Sequence, residues 1–120
     1  MRNGHHNCRE LNIWKNGMEI VKSTYQISEG LPKDERFGPV PQIQRCSVSI
    51  PSNIAEGSGR STTKDFIRFI DIGLSSSYEL ETQLILVNDL YNLETKVLIT
   101  DINELQRMII GFKRSISSES

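Results

Sequence analysis

LITDINELQRMIIGFKRSI, residues 98–116, carries the strongest structural signal in this chain. Its large apolar side chains recur at alternating steps of four and three residues: Leu98, Ile102, Leu105, Ile109, Phe112 and Ile116. A seven-residue repeat of this kind is typical of helices that pack on one another with a left-handed twist. The segment is therefore predicted to be one helix of a bundle. We expect it to begin at Asp101, after a link over residues 92–100, with Asp101 and Glu104 forming a capping box.

Three earlier segments also have a helical period. The first is expected over residues 10–29, and it ends at Gly30 and Pro32. Its predicted core-facing stripe is Leu11, Trp14, Met18, Val21 and Tyr25.

The second helix is predicted to start at residues 39–42 and to contain Pro51. A proline inside a helix removes one hydrogen bond and clashes with the preceding turn, so a kink is expected there rather than a stop. The third helix follows a glycine-rich turn at residues 57–61 and keeps its period to Tyr91. The chain is thus predicted to be an all-α, up-down-up-down four-helix bundle with left-handed packing, in which helix two is kinked near Pro51.

Length and composition bound the domain organisation. The chain has 120 residues, a common size for one domain, of which 37% are hydrophobic and 24% charged. We expect a flexible arm at residues 1–9, the bundle at residues 10–116 and a frayed tail at residues 117–120. The apolar content predicts a thin core. Because a partner subunit often completes such a core, oligomerisation is one hypothesis.

Localisation follows from what the sequence lacks. No run of about 20 apolar residues is present, and the polar start MRNGHHNCRE has no apolar signal-peptide core. Two cysteines in a chain of this size fit a reducing compartment. The expectation is a cytoplasmic protein with no membrane partner.

The formal net charge of -1 argues against non-specific binding of nucleic-acid phosphates by the whole protein surface. The charges are unevenly distributed, however. Residues 33–68 hold six basic and four acidic side chains, whereas residues 69–106 hold seven acidic side chains and one basic side chain. A nucleic-acid-binding face is therefore one interpretation of five basic residues, and an ordinary solvated surface is the other. These residues are Arg36, Arg45, Arg60, Lys64 and Arg68.

No residues with a catalytic or metal-binding pattern stand out. His5, His6 and Cys8 are metal-ligand types, but they form one cluster without a second to close a zinc site. Cys46 has no histidine beyond position 6 to act as its base, so it is expected to be a small buried side chain. A carboxylate-bridged metal centre needs helical Glu-x-x-His pairs, which are missing around Glu79 and Glu81. We expect no enzyme activity, no metal and no cofactor.

The sharpest motif is SIPSNIAEGSGR at residues 49–60. Its notable members are a proline, an amide, a carboxylate, a glycine and a guanidinium: Pro51, Asn53, Glu56, Gly57 and Arg60. Asn53 and Glu56 are three residues apart and share one face of a helix. The motif is interpreted either as a polar packing knot that fixes the kinked helix and its turn, or as a contact for a ligand or RNA.

These motifs also resemble a known family. VSIPSNIAEGSGR at residues 48–60, KDFIRF at 64–69 and ELETQL at 79–84 are similar to the four-helix-bundle proteins encoded in intervening sequences of bacterial large-subunit rRNA genes. That family also includes the accessory protein of diversity-generating retroelements. The resemblance extends to Leu11, Trp14, Lys15 and PKDERFG at residues 32–38, so it covers about residues 10–116.

The resemblance implies a bundle that assembles as a ring-like homopentamer. Accessory members are basic and bind nucleic acid and a reverse transcriptase. This chain departs from the family at Gln44-Arg45, where paired basic residues are common, and at Pro39 and Pro41, which are expected to delay or reshape the start of helix two. The function expected is a non-enzymatic homo-oligomeric adaptor for RNA or a ribonucleoprotein. The alternative is a structural or protein-binding oligomer without nucleic-acid contact.

Overall fold

A computed structural model of the chain describes residues 7–32 and 38–118. Within them, a short 3-10 helix η1 (Cys8–Glu10) precedes four α-helices and no strand is formed. The α-helices are α1 (Asn12–Ser28), α2 (Pro39–Ser58), α3 (Thr63–Tyr91) and α4 (Lys96–Ser117). None of the described helices combines the length and apolarity needed to cross a membrane.

Each helix packs against two others, in the cyclic order α1, α2, α3, α4. Successive helices run in opposite directions: Cys46 meets Glu79 while Ser49 meets Ser76, and Glu81 meets Gln106 while Asp71 meets Lys113. The principal extents are 48 × 23 × 19 Å, as expected for helices of this length lying side by side. The predicted all-α, up-down-up-down four-helix arrangement is confirmed.

The core is built from fully buried aliphatic side chains and one phenylalanine. They come from α2, α3 and α4 in the largest number: Ile43, Ile50, Ile54, Phe66, Ile70, Leu80, Leu84, Ile102, Leu105 and Ile109. The ring of Phe66 meets that of Phe112 edge-on at a centroid distance of 5.7 Å. The seven-residue repeat of α4 therefore faces the core, as predicted.

The predicted core-facing stripe of α1 is wrong. The helix buries a different face, rotated by one position: Ile13, Gly17, Ile20, Thr24 and Ser28. Two hydroxyls are tolerated there because each donates to the carbonyl four residues earlier: Thr24 to Ile20 at 2.7 Å and Ser28 to Thr24 at 2.8 Å.

The residues of the predicted stripe instead flank the core. We call Leu11, Trp14, Met18, Val21 and Tyr25 the outer stripe of α1. Leu11 and Trp14 pack partly against the core, whereas Tyr25 is 43% exposed. Tyr25 was predicted to be a core residue, and that prediction is wrong.

Helix α2 begins at Pro39, where a missing amide costs nothing because first-turn amides have no helical partner. The expected delay of its start by Pro39 and Pro41 does not occur. The helix continues through Pro51, as expected; the kink at that residue stays a prediction. Pro51 is buried and packs beside Gly17 of α1.

The predicted start of the fourth helix is wrong. The helix begins at Lys96, so Asp101 lies inside it and does not cap it. Asn92 ends α3 in the left-handed conformation (φ 57°), and the chain turns within four residues. Thr95 is buried and donates to the Leu84 carbonyl at 3.0 Å, while the Glu94 carboxylate accepts the Lys96 amide at 2.6 Å.

Both chain ends bear on the predicted boundaries. Residues 1–6 of the predicted arm lie outside the described residues. Beyond them, the Asn7 side chain caps η1 by accepting the Arg9 amide at 3.1 Å. At the other end, α4 includes Ser117, which was assigned to the tail, and residues 119–120 lie outside the described part of the chain.

Candidate functional site

A row of polar side chains runs between α2 and α3, and we call it the polar seam. It comprises Gln42, Cys46, Ser49 and Asn53 on α2 with Gln83, Glu79 and Ser76 on α3. The hydroxyls of Ser49 and Ser76 are 2.7 Å apart, and the Asn53 amide donates to the Ser49 carbonyl at 2.8 Å. Neutral hydrogen bonds of this kind fix the register of two helices more than they add stability.

Two glycines allow the helices to approach closely along this seam. A Cβ on Gly73 would lie 3.3 Å from the Ile50 carbonyl oxygen. A Cβ on Gly57 would lie 2.8 Å from both Phe66 Cδ1 and Phe69 Cβ. Gly57 was predicted to lie in the turn at residues 57–61, but α2 extends to Ser58, and Gly57 inside the helix leaves room for two aromatic side chains.

Cys46 is buried, as predicted, and donates from its thiol to Glu79 Oε2 at 2.7 Å. Burial, together with the hydrogen bond to Glu79 and the negative charge of that carboxylate, raises the pKa of Cys46 to about 12. The protonated thiol is a poor nucleophile. Sequence reasoning missed Glu79 as the partner of Cys46, because no local signal joins residues 33 positions apart.

The carboxylates considered for a metal centre point to different neighbours. Glu79 accepts from Cys46, and Glu81 accepts from Gln106 of α4 at 3.0 Å. Among residues 7–32 and 38–118, no three His, Cys, Asp or Glu side chains are grouped to hold a metal ion. His5 and His6 lie outside those residues.

The residues of the 49–60 motif serve different contacts. Pro51 faces α1, and Asn53 bonds backward to Ser49 within the polar seam. The Glu56 carboxylate accepts from the guanidinium of Arg60, four residues later, in a 3.0 Å ion pair on the surface. Gly57 lies against α3. Asn53 and Glu56 thus share a helix face without sharing a partner.

Three of the predicted nucleic-acid-binding residues lie together at the α2–α3 turn. The Arg60 guanidinium stacks over the Phe69 ring at 4.5 Å, and that of Arg68 lies 5.4 Å from the same ring. Lys64 is exposed in the first turn of α3. Arg45 is 13 residues before the end of α2 at Ser58, about 20 Å along the helix.

The remaining predicted residue, Arg36, lies outside the described residues. The end of the bundle that holds the α2–α3 turn also carries basic residues that sequence reasoning missed: Arg9, Lys15, Lys113 and Arg114. They come from the first and last helical segments, and only the antiparallel arrangement of the helices brings them to the end of the bundle that holds Lys64.

Comparisons with known proteins agree with this fold. The family described as 23S rRNA-intervening sequence protein matches residues 9–111. A solved structure from Bacteroides thetaiotaomicron VPI-5482, a protein with unknown function from the S23 ribosomal protein family, is 22% identical. It superposes with a TM-score of 0.77 and covers 84% of this chain and 97% of its own, which shows a shared fold. Comparison with curated proteins gives no match.

Proposed function

This chain belongs to the 23S rRNA-intervening sequence protein family, and we propose that it is a non-enzymatic, homo-oligomeric four-helix-bundle adaptor that binds RNA or a ribonucleoprotein. Self-association is the first part of the proposal and RNA contact is the second. The observation that carries the proposal is the outer stripe of α1, and each part has its own test.

The outer stripe repeats at steps of three, four, three and four residues, which is the spacing that buries one helix against another. The fully buried face of α1 is a different one, and of the stripe Leu11 and Trp14 also pack against the core, so Met18, Val21 and Tyr25 are the residues left along the flank. Val48 of α2, 39% exposed, adds a further apolar side chain to the surface of the bundle. Apolar side chains aligned along a partly exposed flank are typical of a subunit interface.

A second copy of the chain is the proposed cover for this stripe. The resemblance to the family implies a closed ring of five copies, and the proposal adopts that number. Cyclic assembly needs one surface of each subunit to meet a different surface of the next. Exposed Ile72 and Leu86 on α3 belong to a part of the bundle that α1 does not contact, and they supply such a second surface.

Absence of catalysis is supported by the state of the reactive groups. The Cys46 thiol is held protonated beside Glu79, and Glu81 accepts from an uncharged amide. Glu79 is within hydrogen-bond reach of the thiol but raises its pKa instead of lowering it, so no thiolate is supplied as a nucleophile.

Native mass spectrometry and sedimentation of the full chain test self-association. Tyr25→Lys is expected to dissociate the oligomer, whereas Val97→Lys, at an exposed apolar residue of α4 outside both the stripe and the α3 surface, is expected to leave it intact. Circular dichroism shows whether each variant remains helical. A wild-type chain that is monomeric at about 100 µM, a concentration at which even weak complexes form, would refute the homo-oligomer.

RNA contact is tested by titrating a structured RNA at low and high salt. Contacts to phosphates release counterions, so binding weakens steeply as salt rises. No salt-dependent binding below about 100 µM at low ionic strength would remove this part of the proposal.

A protein-only oligomer is the second candidate, and two ion pairs favour it. Arg60 pairs with Glu56 at 3.0 Å and Arg68 with Asp65 at 3.8 Å, which neutralises part of the cluster at the turn. This alternative predicts that replacing Arg45, Arg60 and Lys64 together leaves every interaction of the protein intact.

A further inference from the structure

The charges of this nearly neutral chain are separated along the long axis of the bundle. One end holds η1, the start of α1, the end of α2, the start of α3 and the end of α4. Seven basic side chains lie there: Arg9, Lys15, Arg60, Lys64, Arg68, Lys113 and Arg114. The four acidic side chains of the same region are Glu10, Glu56, Asp65 and Asp71. We call this region the basic end.

The opposite part of the bundle has the reverse balance among the described residues. Its three basic side chains are Lys22, Arg45 and Lys96. Its seven acidic side chains are Glu19, Glu29, Glu79, Glu81, Asp89, Glu94 and Asp101. Glu104 and Arg107 pair with each other at 2.6 Å between the two regions. The charge asymmetry between residues 33–68 and 69–106 of the sequence thus corresponds to a charge asymmetry between the two ends of the bundle.

Contacts between the helices show that the segments of the basic end meet. Gly57 near the end of α2 lies against Phe66 near the start of α3. Phe66 packs on Phe112 near the end of α4, and Lys113 pairs with Asp71 at 2.7 Å. The 3-10 helix η1 packs on both α1 and α2. The basic residues therefore lie at one end of the bundle, although Arg9 and Arg114 are 105 residues apart in the sequence.

Part of this positive charge is not neutralised within the protein. Arg60, Arg68 and Lys113 each have a carboxylate partner. In the described part of the chain, no carboxylate lies within ion-pairing distance of the other four: Arg9, Lys15, Lys64 and Arg114. Those four side chains remain available to an external anion.

We propose that the basic end binds the phosphate backbone of RNA, with Lys64, Arg114, Arg9 and Lys15 as the contacting residues. This inference rests on the RNA contact of the proposed function and assigns it a place. Phosphate contacts need unpaired cations, and the basic end concentrates them while the acidic opposite part repels the same polyanion. Arg45 lies in the acidic part and makes no contact.

The aromatic side chain at this end favours RNA over a second protein copy as the occupant. Phe69 has the guanidinium groups of both Arg60 and Arg68 near its ring. Because the Arg60 guanidinium lies over the Phe69 ring, an unpaired base of RNA would stack on the guanidinium plane that the ring supports. A surface of lysines alone would attract any acidic partner, whereas this combination matches phosphate and base together.

Assembly into a ring would extend this separation of charge over a larger surface. When the subunits associate side by side with their long axes along the ring axis, cyclic symmetry places the same end of every subunit on one face of the ring. A chain with a net charge of -1 then presents a continuous basic face to RNA and an acidic face away from it. This explains how a protein with a pI near 6.1 can bind a polyanion.

Fluorescence anisotropy with a labelled RNA hairpin tests the assignment on the full chain, at salt concentrations from about 50 to about 200 mM. The test variant is Lys64→Gln/Arg114→Gln. The matched control is Lys96→Gln/Arg45→Gln, which removes one lysine and one arginine from the acidic part. The test variant is expected to lose at least about tenfold in affinity at low salt, and its log–log salt slope is expected to fall by about 1.5, the value for two lost contacts. The control is expected to change affinity by less than about threefold.

The outcomes separate this inference from the function on which it rests. If the wild-type chain shows no salt-dependent binding, RNA contact itself is refuted. If it binds and the control loses as much as the test variant, RNA contact stands but the basic end is the wrong place. If the test variant changes only the salt dependence of self-association in sedimentation, the end contacts a second copy and the inference is overturned.

Discussion

Gly57 is the position at which one added methyl group has the clearest consequence. In Gly57→Ala, the new Cβ would lie 2.8 Å from Phe66 Cδ1, 2.8 Å from Phe69 Cβ and 3.2 Å from the Phe66 carbonyl oxygen. Phe66 is fully buried, and Phe112 lies against its ring. Phe69 Cβ and the carbonyl oxygen move only with the backbone of α3. The helices must therefore separate locally, since no flexible side chain can give way.

The expected cost follows from opposing terms. Overpacking of a dense core typically costs about 1–3 kcal/mol. Alanine is favoured over glycine inside a helix by up to about 1 kcal/mol, but Gly57 is the penultimate residue of α2, so less of that gain applies. The net loss in the free energy of unfolding is expected to be about 1–2 kcal/mol, or roughly 4–8 °C in Tm for a domain of this size.

Gly111→Ala is the matched control, because a Cβ at Gly111 meets nothing within 4 Å on the surface of α4. It is expected to stabilise the protein by about 0.5–1 kcal/mol through helix propensity alone. Urea unfolding followed by circular dichroism at 222 nm measures both variants, at one protein concentration because association contributes to stability. A Gly57→Ala variant at least as stable as the wild type would show that the close approach of α2 and α3 is not as tight as described.

Three further predictions concern local contacts. Cys46 is expected to resist Ellman's reagent until the protein unfolds. Since the pKa of Cys46 rises from 9.0 to about 12 on folding, the protein is expected to lose stability as the pH increases through that window. In Cys46→Ala, the urea midpoint is expected to fall less between about pH 9 and pH 11 than in the wild type, and equal slopes would contradict the raised pKa. Thr62→Ala is expected to cost about 1 kcal/mol because the Thr62 hydroxyl accepts the Asp65 amide at 3.1 Å, whereas Thr100→Ala, on an exposed helix face, is expected to cost less than about 0.5 kcal/mol. Asp101→Ala is expected to change stability by less than about 0.5 kcal/mol, since Asp101 lies inside α4; a loss of about 1 kcal/mol in thermal unfolding would restore the capping role.

The fold was predictable wherever the large apolar side chains themselves form the core. That holds for α4, whose seven-residue repeat is buried, and for α3, where Phe66, Leu80 and Leu84 keep the period. It fails for α1, because the buried face includes Gly17, Thr24 and Ser28 while larger apolar residues lie beside it. Hydrophobic periodicity selects the most apolar face of a helix. No local sequence signal shows that Gly17 is needed for the contact of α1 with Pro51.

The candidate site was predictable only where its residues are neighbours in sequence. Arg60, Lys64 and Arg68 lie around one turn, so they were found together. Lys15 and Arg114 lie at the same end of the bundle as these residues only because of the arrangement of the four helices. Arg45 was grouped with the residues of the turn because it is only 15 residues before Arg60 in the sequence. That distance alone does not show that Arg45 lies further along the bundle axis, in the acidic part.

The outer stripe and the basic end are geometrically linked, and this link leads to a prediction. The stripe runs along α1, parallel to the bundle axis, so side-by-side association through it leaves every basic end open on one face. Loss of association would therefore weaken RNA binding through lost multivalency, without changing any basic residue. Tyr25→Lys, which adds a positive charge, is expected to bind the hairpin at least about tenfold more weakly than the wild type in anisotropy. If a monomeric Tyr25→Lys variant binds RNA as tightly as the wild type, one isolated basic end is sufficient and the assembly has another purpose.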